Sequence, residues 1–256
     1  MANVSNDKES LFIRCLPDAF TLGDDPAEDK LLREYGAVFV ARGGVVAPER
    51  VVFRNEGEVA EFQSGLELMR FELGGFSLEL QKVAAIALLA AADQATAGGL
   101  SITPRGSDSA RRNYQGTVDL WHSRVDPALA HWLSEGKITA EQAERIRSRT
   151  PYEQLPLVFE LESEGIFFAK DLSKSIIYSV APPGTSQHLS CLAFDVREFD
   201  DDRVRSILAE HFWYQTVTSD LPHFTFLGVR EVELSDLGLK PVIFSARKFW
   251  IPDIDS

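Results

Sequence analysis

Cysteine is nearly absent from this 256-residue chain: Cys15 and Cys191 are the only two. That excludes a disulfide framework and a cysteine-built zinc knuckle, and the surroundings of neither thiol mark it as a nucleophile. Long apolar runs are also missing. The longest, residues 83–92, is about half the ~20 residues that span a bilayer, and its alanine-rich composition suits a buried helix instead. The amino terminus, MANVSNDKES, lacks the basic and apolar stretches of a secretory signal, so the chain reads as either cytoplasmic or already trimmed. Basic residues are outnumbered, 26 Lys and Arg against 39 Asp and Glu, for a net charge of −13. They are scattered, which argues against binding along a nucleic-acid backbone and favours a small or neutral partner. There is no internal repeat and no low-complexity tract.

What is present is enough hydrophobic sequence, 45%, for one sizeable core. Residues 1–30, with the turn-like Gly23-Asp24-Asp25-Pro26, read as a flexible lead-in. Residues 37–41 and 51–53 look strand-like. Asn55 with Glu58 has the spacing of a capping box and predicts a helix to about residue 70, and a second helix is expected over residues 78–97, stopped by Gly98-Gly99. A short strand over residues 100–103 should precede a helix carrying Tyr114, Val118, Trp121, Val125 and Leu129 at helical spacing. Thr139 with Gln142 opens a helix to about Arg147. Residues 155–180 read as strands, and strands near residues 189–196 and 223–229 flank a helix over residues 201–212. Helices early and strands late predict an α+β domain with a mainly antiparallel sheet, spanning residues 31–229, with residues 230–256 as an extension packed on it.

The chemistry is concentrated in two short segments. In residues 186–196, strand alternation would put Cys191, Ala193 and Asp195 on one face, lined by small side chains, and Leu192, Phe194 and Val196 on the other. His188 breaks that alternation and is expected in the turn that follows Pro182-Pro183-Gly184, its imidazole swung back over the strand. The second segment places His223 at the mouth of a strand whose other face is Phe224 and Phe226. Two imidazoles and one carboxylate form a three-ligand site that leaves a fourth position for water, the arrangement of hydrolytic zinc enzymes. Asp220, three residues before His223, is the candidate general base. His122, His131 and His211 read as structural. Asp200-Asp201-Asp202 reads as a helix N-terminus, because consecutive acids lack the alternate spacing of a calcium loop.

Residues 186–195 resemble the Ser-x-His-x-x-Gly-x-Ala-x-Asp signature of the D-alanyl-D-alanine carboxypeptidase and dipeptidase family of zinc peptidases, which includes the vancomycin-resistance peptidases. Residues 220–228 are similar to that family's closing Glu-x-x-His motif. The resemblance extends over roughly residues 78–229 and implies a zinc DD-peptidase/Hedgehog-like fold. It implies Zn2+ held by His188, Asp195 and His223, Asp220 as catalytic base, Arg105 steadying the scissile carbonyl and oxyanion, and Ser186 helping to hold the substrate. Cys191 stands where the signature has Gly, Asp220 where it has Glu, and Thr117 where the family has Gln. The implied activity is hydrolysis of a peptide bond next to a D-amino acid in peptidoglycan-derived peptides, in the cell envelope or periplasm. A cell-wall endopeptidase, an L,D-carboxypeptidase and a catalytically inactive zinc-binding interaction domain fit the same residues.

Overall fold

A computed structural model describes residues 10–23 and 25–255. The reading of residues 1–9 and of Asp24 lies outside the described residues. The segment expected as a lead-in carries a short helix, α1 (Leu11–Arg14), whose Phe12 is fully buried, and α2 (Pro26–Tyr35) follows, capped by Asp25 through Ala27 N–H. Residues expected as a strand at 37–41 instead continue α2 as a 3-10 helix, Gly36–Val40, and residues 51–53 pair in no sheet.

Asn55 caps α3 (Glu56–Ser64) as its spacing predicts, its side chain accepting from Glu58 N–H at 3.0 Å. The helix stops before Gly65, and Arg70 belongs to a hairpin of β1 (Leu68–Leu73) and β2 (Phe76–Gln81). The reason is local: Gly74 and Gly75 both take positive φ, so the chain reverses there and zips Leu68 against Gln81. The alanine-rich helix α4 (Lys82–Ala97) therefore starts four residues later than expected and ends at Gly98 as expected. Residues 100–103 form no strand, although Pro104 bridges Val196.

Helix α5 (Tyr114–Ser134) buries Trp121, Val125 and Leu129 along one stripe, and α6 (Ala140–Arg147) opens on the predicted Thr139–Gln142 capping box. Residues 155–180 are where the sequence misleads most. A second capping box, Thr150 with Glu153, and Pro151 at the first helical position start α7 (Pro151–Ser163), which overrides the strand-forming side chains at Val158 and Phe159. Ile176–Tyr178 is a 3-10 turn.

The remaining strands are short and antiparallel. A three-stranded sheet has the order β3–β5–β4, with β3 (Ala193–Asp195), β4 (Trp213–Tyr214) and β5 (His223–Phe226). Asp201 caps α8 (Asp202–Glu210), so the acidic run is a helix start. A hairpin of β6 (Leu239–Phe244) and β7 (Arg247–Pro252) closes the chain, and Trp250 N–H donates to the Gln215 carbonyl at 2.9 Å. The fold is thus α+β, with three small antiparallel sheets among the described residues rather than one continuous sheet. One main hydrophobic cluster runs from Phe12 to Trp250. No helix among the described residues is long and apolar enough to cross a membrane.

Candidate metal centre

The central sheet brings two of the expected ligands face to face. Asp195 on β3 and His223 on β5 are direct cross-strand partners, a pairing that sets side chains about 5 Å apart on one face. The opposite face carries Phe194, Phe224 and Phe226, with Trp213 against Phe226 at a ring separation of 5.5 Å, so the apolar half of each strand anchors the polar half.

His188 arrives from a 3-10 turn, Gln187–Ser190, just before β3. That turn is positioned by Gly184, whose φ of +78° and contact with the Phe53 backbone leave no space for a Cβ. Phe53 N–H donates to the Gly184 carbonyl at 3.0 Å, which fixes the entry to the turn. The turn ends at Cys191 in the left-handed region, φ +57°. Cys191 therefore lies outside β3 and does not share a face with Ala193 and Asp195 as alternation had suggested. Its carbonyl accepts from Gln81 N–H, and burial pushes its thiol up to about 12.

His188, Asp195 and His223 are all buried, and one ligand atom from each lies within 4.8 Å of the others. Asp195 Oδ1 is 3.2 Å from His188 Nε2 and 3.2 Å from His223 Nδ1. The far nitrogens are engaged elsewhere. His188 Nδ1 is 2.7 Å from the Ala110 carbonyl, which must accept a proton from it. His223 Nε2 is 2.9 Å from Gln187 Oε1, and Gln187 is oriented by its own amide donating to the Tyr35 carbonyl at 2.8 Å. Each ring thus places its N–H on an outer acceptor and turns its other nitrogen towards the carboxylate. His188 Nε2 is a buried atom without a hydrogen-bond partner.

The other Asp195 oxygen, Oδ2, accepts from Arg112 Nη2 at 2.8 Å. Burial alone would raise the Asp195 carboxyl, but a positive charge on His188 or His223, or a proton either ring shares with the carboxylate, outweighs it and holds it well below the usual range. Burial pushes His188 down from 6.5, partly opposed by Asp195. Both groups therefore favour their deprotonated, ligating forms. An N···O edge of ~3.4 Å is what tetrahedral ligands at 2.0–2.2 Å subtend, so the two 3.2 Å separations suit a small cation between them.

A cavity of about 240 Å³ opens onto this group, with Ser186, Asp220, Arg112 and Arg124 on its walls. Asp220 lies in the turn before β5 with its side chain exposed, and its carbonyl accepts from His223 N–H at 3.1 Å. Ser186 is buried at the start of the 3-10 turn. Arg105 is not brought to the cavity. It is exposed, and only its backbone N–H approaches the site, donating to the Asp195 carbonyl at 3.3 Å. Gln187, Arg112 and Arg124 line the same cavity and are not among the candidates read from the sequence. Gln187 adjoins His188 inside the motif, which was a usable signal; Arg112 had none beyond its place just ahead of the Asn113 cap of α5.

No protein-family model matches the chain, and no curated protein matches it. Among solved structures it is similar to the vancomycin-resistance D,D-pentapeptidase VanY from a VanB-type resistance cassette, a mutant form in complex with Zn(II). The identity is 16% and the TM-score 0.36, over 72% of this chain and 86% of that one.

Proposed function

We propose that the chain is a zinc-dependent peptide hydrolase acting on cell-wall peptides, with His188, Asp195 and His223 as ligands. The observation that carries this is the convergence of one ligand atom each from His188, Asp195 and His223 within 4.8 Å, with the far nitrogen of each imidazole placed against an outer acceptor. The donor set, two nitrogens and one carboxylate oxygen, is that of catalytic zinc rather than of calcium or magnesium, which take oxygen shells. Bound zinc would supply a Lewis acid and draw the pKa of a water down to about 7.

In this reading the residues of the chain divide the remaining work. Asp220, on the cavity wall beside His223, takes a proton from the attacking water and returns it to the departing amine. Arg112, in place of the expected Arg105, is the fixed cation beside the developing oxyanion, held by Asp195 Oδ2 and by the Asp108 carbonyl at 2.9 Å. Ser186 contributes a hydroxyl to the polar end of the substrate. Specificity for a bond next to a D-amino acid rests on the motif resemblance at residues 186–195 and 220–228, with carboxypeptidase action on D-alanyl-D-alanine ends as the leading form.

The test is metal content by elemental analysis together with D-alanine release from a pentapeptide ending in D-Ala-D-Ala, on wild type, Asp220→Ala and His188→Ala. One zinc per chain, lost in His188→Ala, with turnover absent but zinc retained in Asp220→Ala, is the expected result. Zinc without turnover on any cell-wall peptide would reduce the site to a binding domain. A wild type that takes up no zinc would sink the assignment.

A further inference from the structure

The cavity beside the metal-binding group holds two cations, and they are in different situations. Arg112 is paired with Asp195. Arg124, which projects from α5 one turn after Leu120, forms no ion pair among the described residues. Its guanidinium is nonetheless fixed at two points. Nε donates to Ser179 Oγ at 3.0 Å, and Nη1 donates to Ser123 Oγ at 2.9 Å. Ser179 Oγ also takes an N–H from Lys170 at 3.4 Å, so the hydroxyl that holds Arg124 is itself tied to the chain. Nη2 is left without a partner among the described residues.

A half-buried guanidinium, pinned by neutral hydroxyls and lacking an acid, is pre-organised for a ligand carboxylate. Its planar fork matches that group, and little side-chain freedom remains to be lost on binding. The cavity adds a size limit. About 240 Å³ lies below the common range for small-molecule sites, so a short segment of substrate fills it.

Resting on the zinc-peptidase reading above, we infer that Arg124 is the specificity-determining residue that reads a free carboxylate on the substrate, selecting peptides cut near their C-terminus over internal bonds. Its role is distinct from that of Arg112: it binds the substrate and leaves the metal ligands untouched.

The experiment uses the full chain, wild type and Arg124→Gln, with two matched pentapeptides that end in D-Ala-D-Ala as a free acid or as a carboxamide. Wild type should favour the acid by roughly 10- to 100-fold in kcat/KM, the range expected of a hydrogen bond to a charged group. Arg124→Gln should lower kcat/KM for the acid towards that of the amide, chiefly through KM, with one zinc per chain retained. Arg124→Lys should recover part of the preference. A parallel binding series with N-acetyl-D-Ala-D-Ala and its amide on the metal-depleted chain, followed by NMR titration, should show the same preference and the same loss. Equal handling of acid and amide by wild type, or an undiminished preference in Arg124→Gln, overturns the inference while leaving the zinc reading intact. If wild type holds no zinc or turns over neither peptide, that reading fails by itself, and the binding series alone decides the role of Arg124.

Discussion

His188 Nε2 and Asp195 Oδ1 face each other across 3.2 Å without a hydrogen bond between them. The proton that would normally join them sits on the other side of the imidazole, at the Ala110 carbonyl. Leaving a buried nitrogen unsatisfied costs about 1–3 kcal/mol, and a cation between the two atoms removes that cost. His188→Gln should therefore lower zinc affinity by at least ~100-fold, more than loss of a mere supporting contact. Competition against a chromophoric chelator measures it, and an unchanged affinity would exclude His188 as a ligand.

Gln187 supports the same centre from behind. Its Oε1 takes the His223 Nε2 proton and the Thr225 hydroxyl, and its Nε2 is tied to Tyr35. Removing it frees the His223 ring to turn and leaves a buried N–H without an acceptor. Gln187→Ala should weaken zinc binding by about 10- to 100-fold without abolishing it. A cobalt-substituted protein offers a direct readout, because loss of a fixed imidazole changes its visible spectrum. An identical spectrum and affinity in the variant would contradict the supporting role.

What could be read from the sequence was what is local. The Asn55 and Thr139 caps and the stop at Gly98 all depend on residues within four positions of each other, and all three formed. The three expected ligands could be named from their chemistry and local context, and in the fold they meet. Register was not legible: Asp195 opposite His223 requires β3 and β5 to pair across 28 residues, and nothing in either segment specifies the offset. Residues 155–180 failed because β-branched and aromatic side chains were weighed above the Thr150–Glu153 box that actually starts a helix. Arg105 and Arg112 are indistinguishable by type. Only the path of the chain from Pro104, which bridges Val196, to the α5 cap decides which guanidinium reaches Asp195.

The buried pair also predicts how stability depends on pH. Burial lowers the His188 pKa from 6.5, and Asp195 is held well below 3.8. A group with a depressed folded pKa takes up protons more readily in the unfolded chain, so its contribution is complete above the unfolded value and is lost as pH falls towards the folded one. For His188 that loss begins below about pH 6.5, and for Asp195 it follows only in more acid solution. The melting temperature of chelator-treated protein should accordingly fall between pH 7.5 and 5, and His188→Asn should flatten that decline. A wild-type melting temperature that rises on acidification through this window would contradict a neutral, buried His188.

Cys191 provides a test of backbone geometry that is independent of the metal. Its φ of +57° and ψ of 30° put an L-residue in the left-handed region at the end of the turn that carries His188. That conformation costs a residue with a Cβ roughly 1–2 kcal/mol, a cost that glycine avoids. Truncating the buried thiol to Ala keeps the strain and loses the sulfur contacts, whereas truncating it to Gly loses slightly more contact but relieves the strain. Cys191→Gly should thus be more stable than Cys191→Ala by about 1 kcal/mol, the reverse of the order found in a helix interior. Urea midpoints of the two variants at equal m-value give the comparison. If Ala proved the more stable of the two, the left-handed turn would be wrong, and with it the path by which His188 is delivered to Asp195.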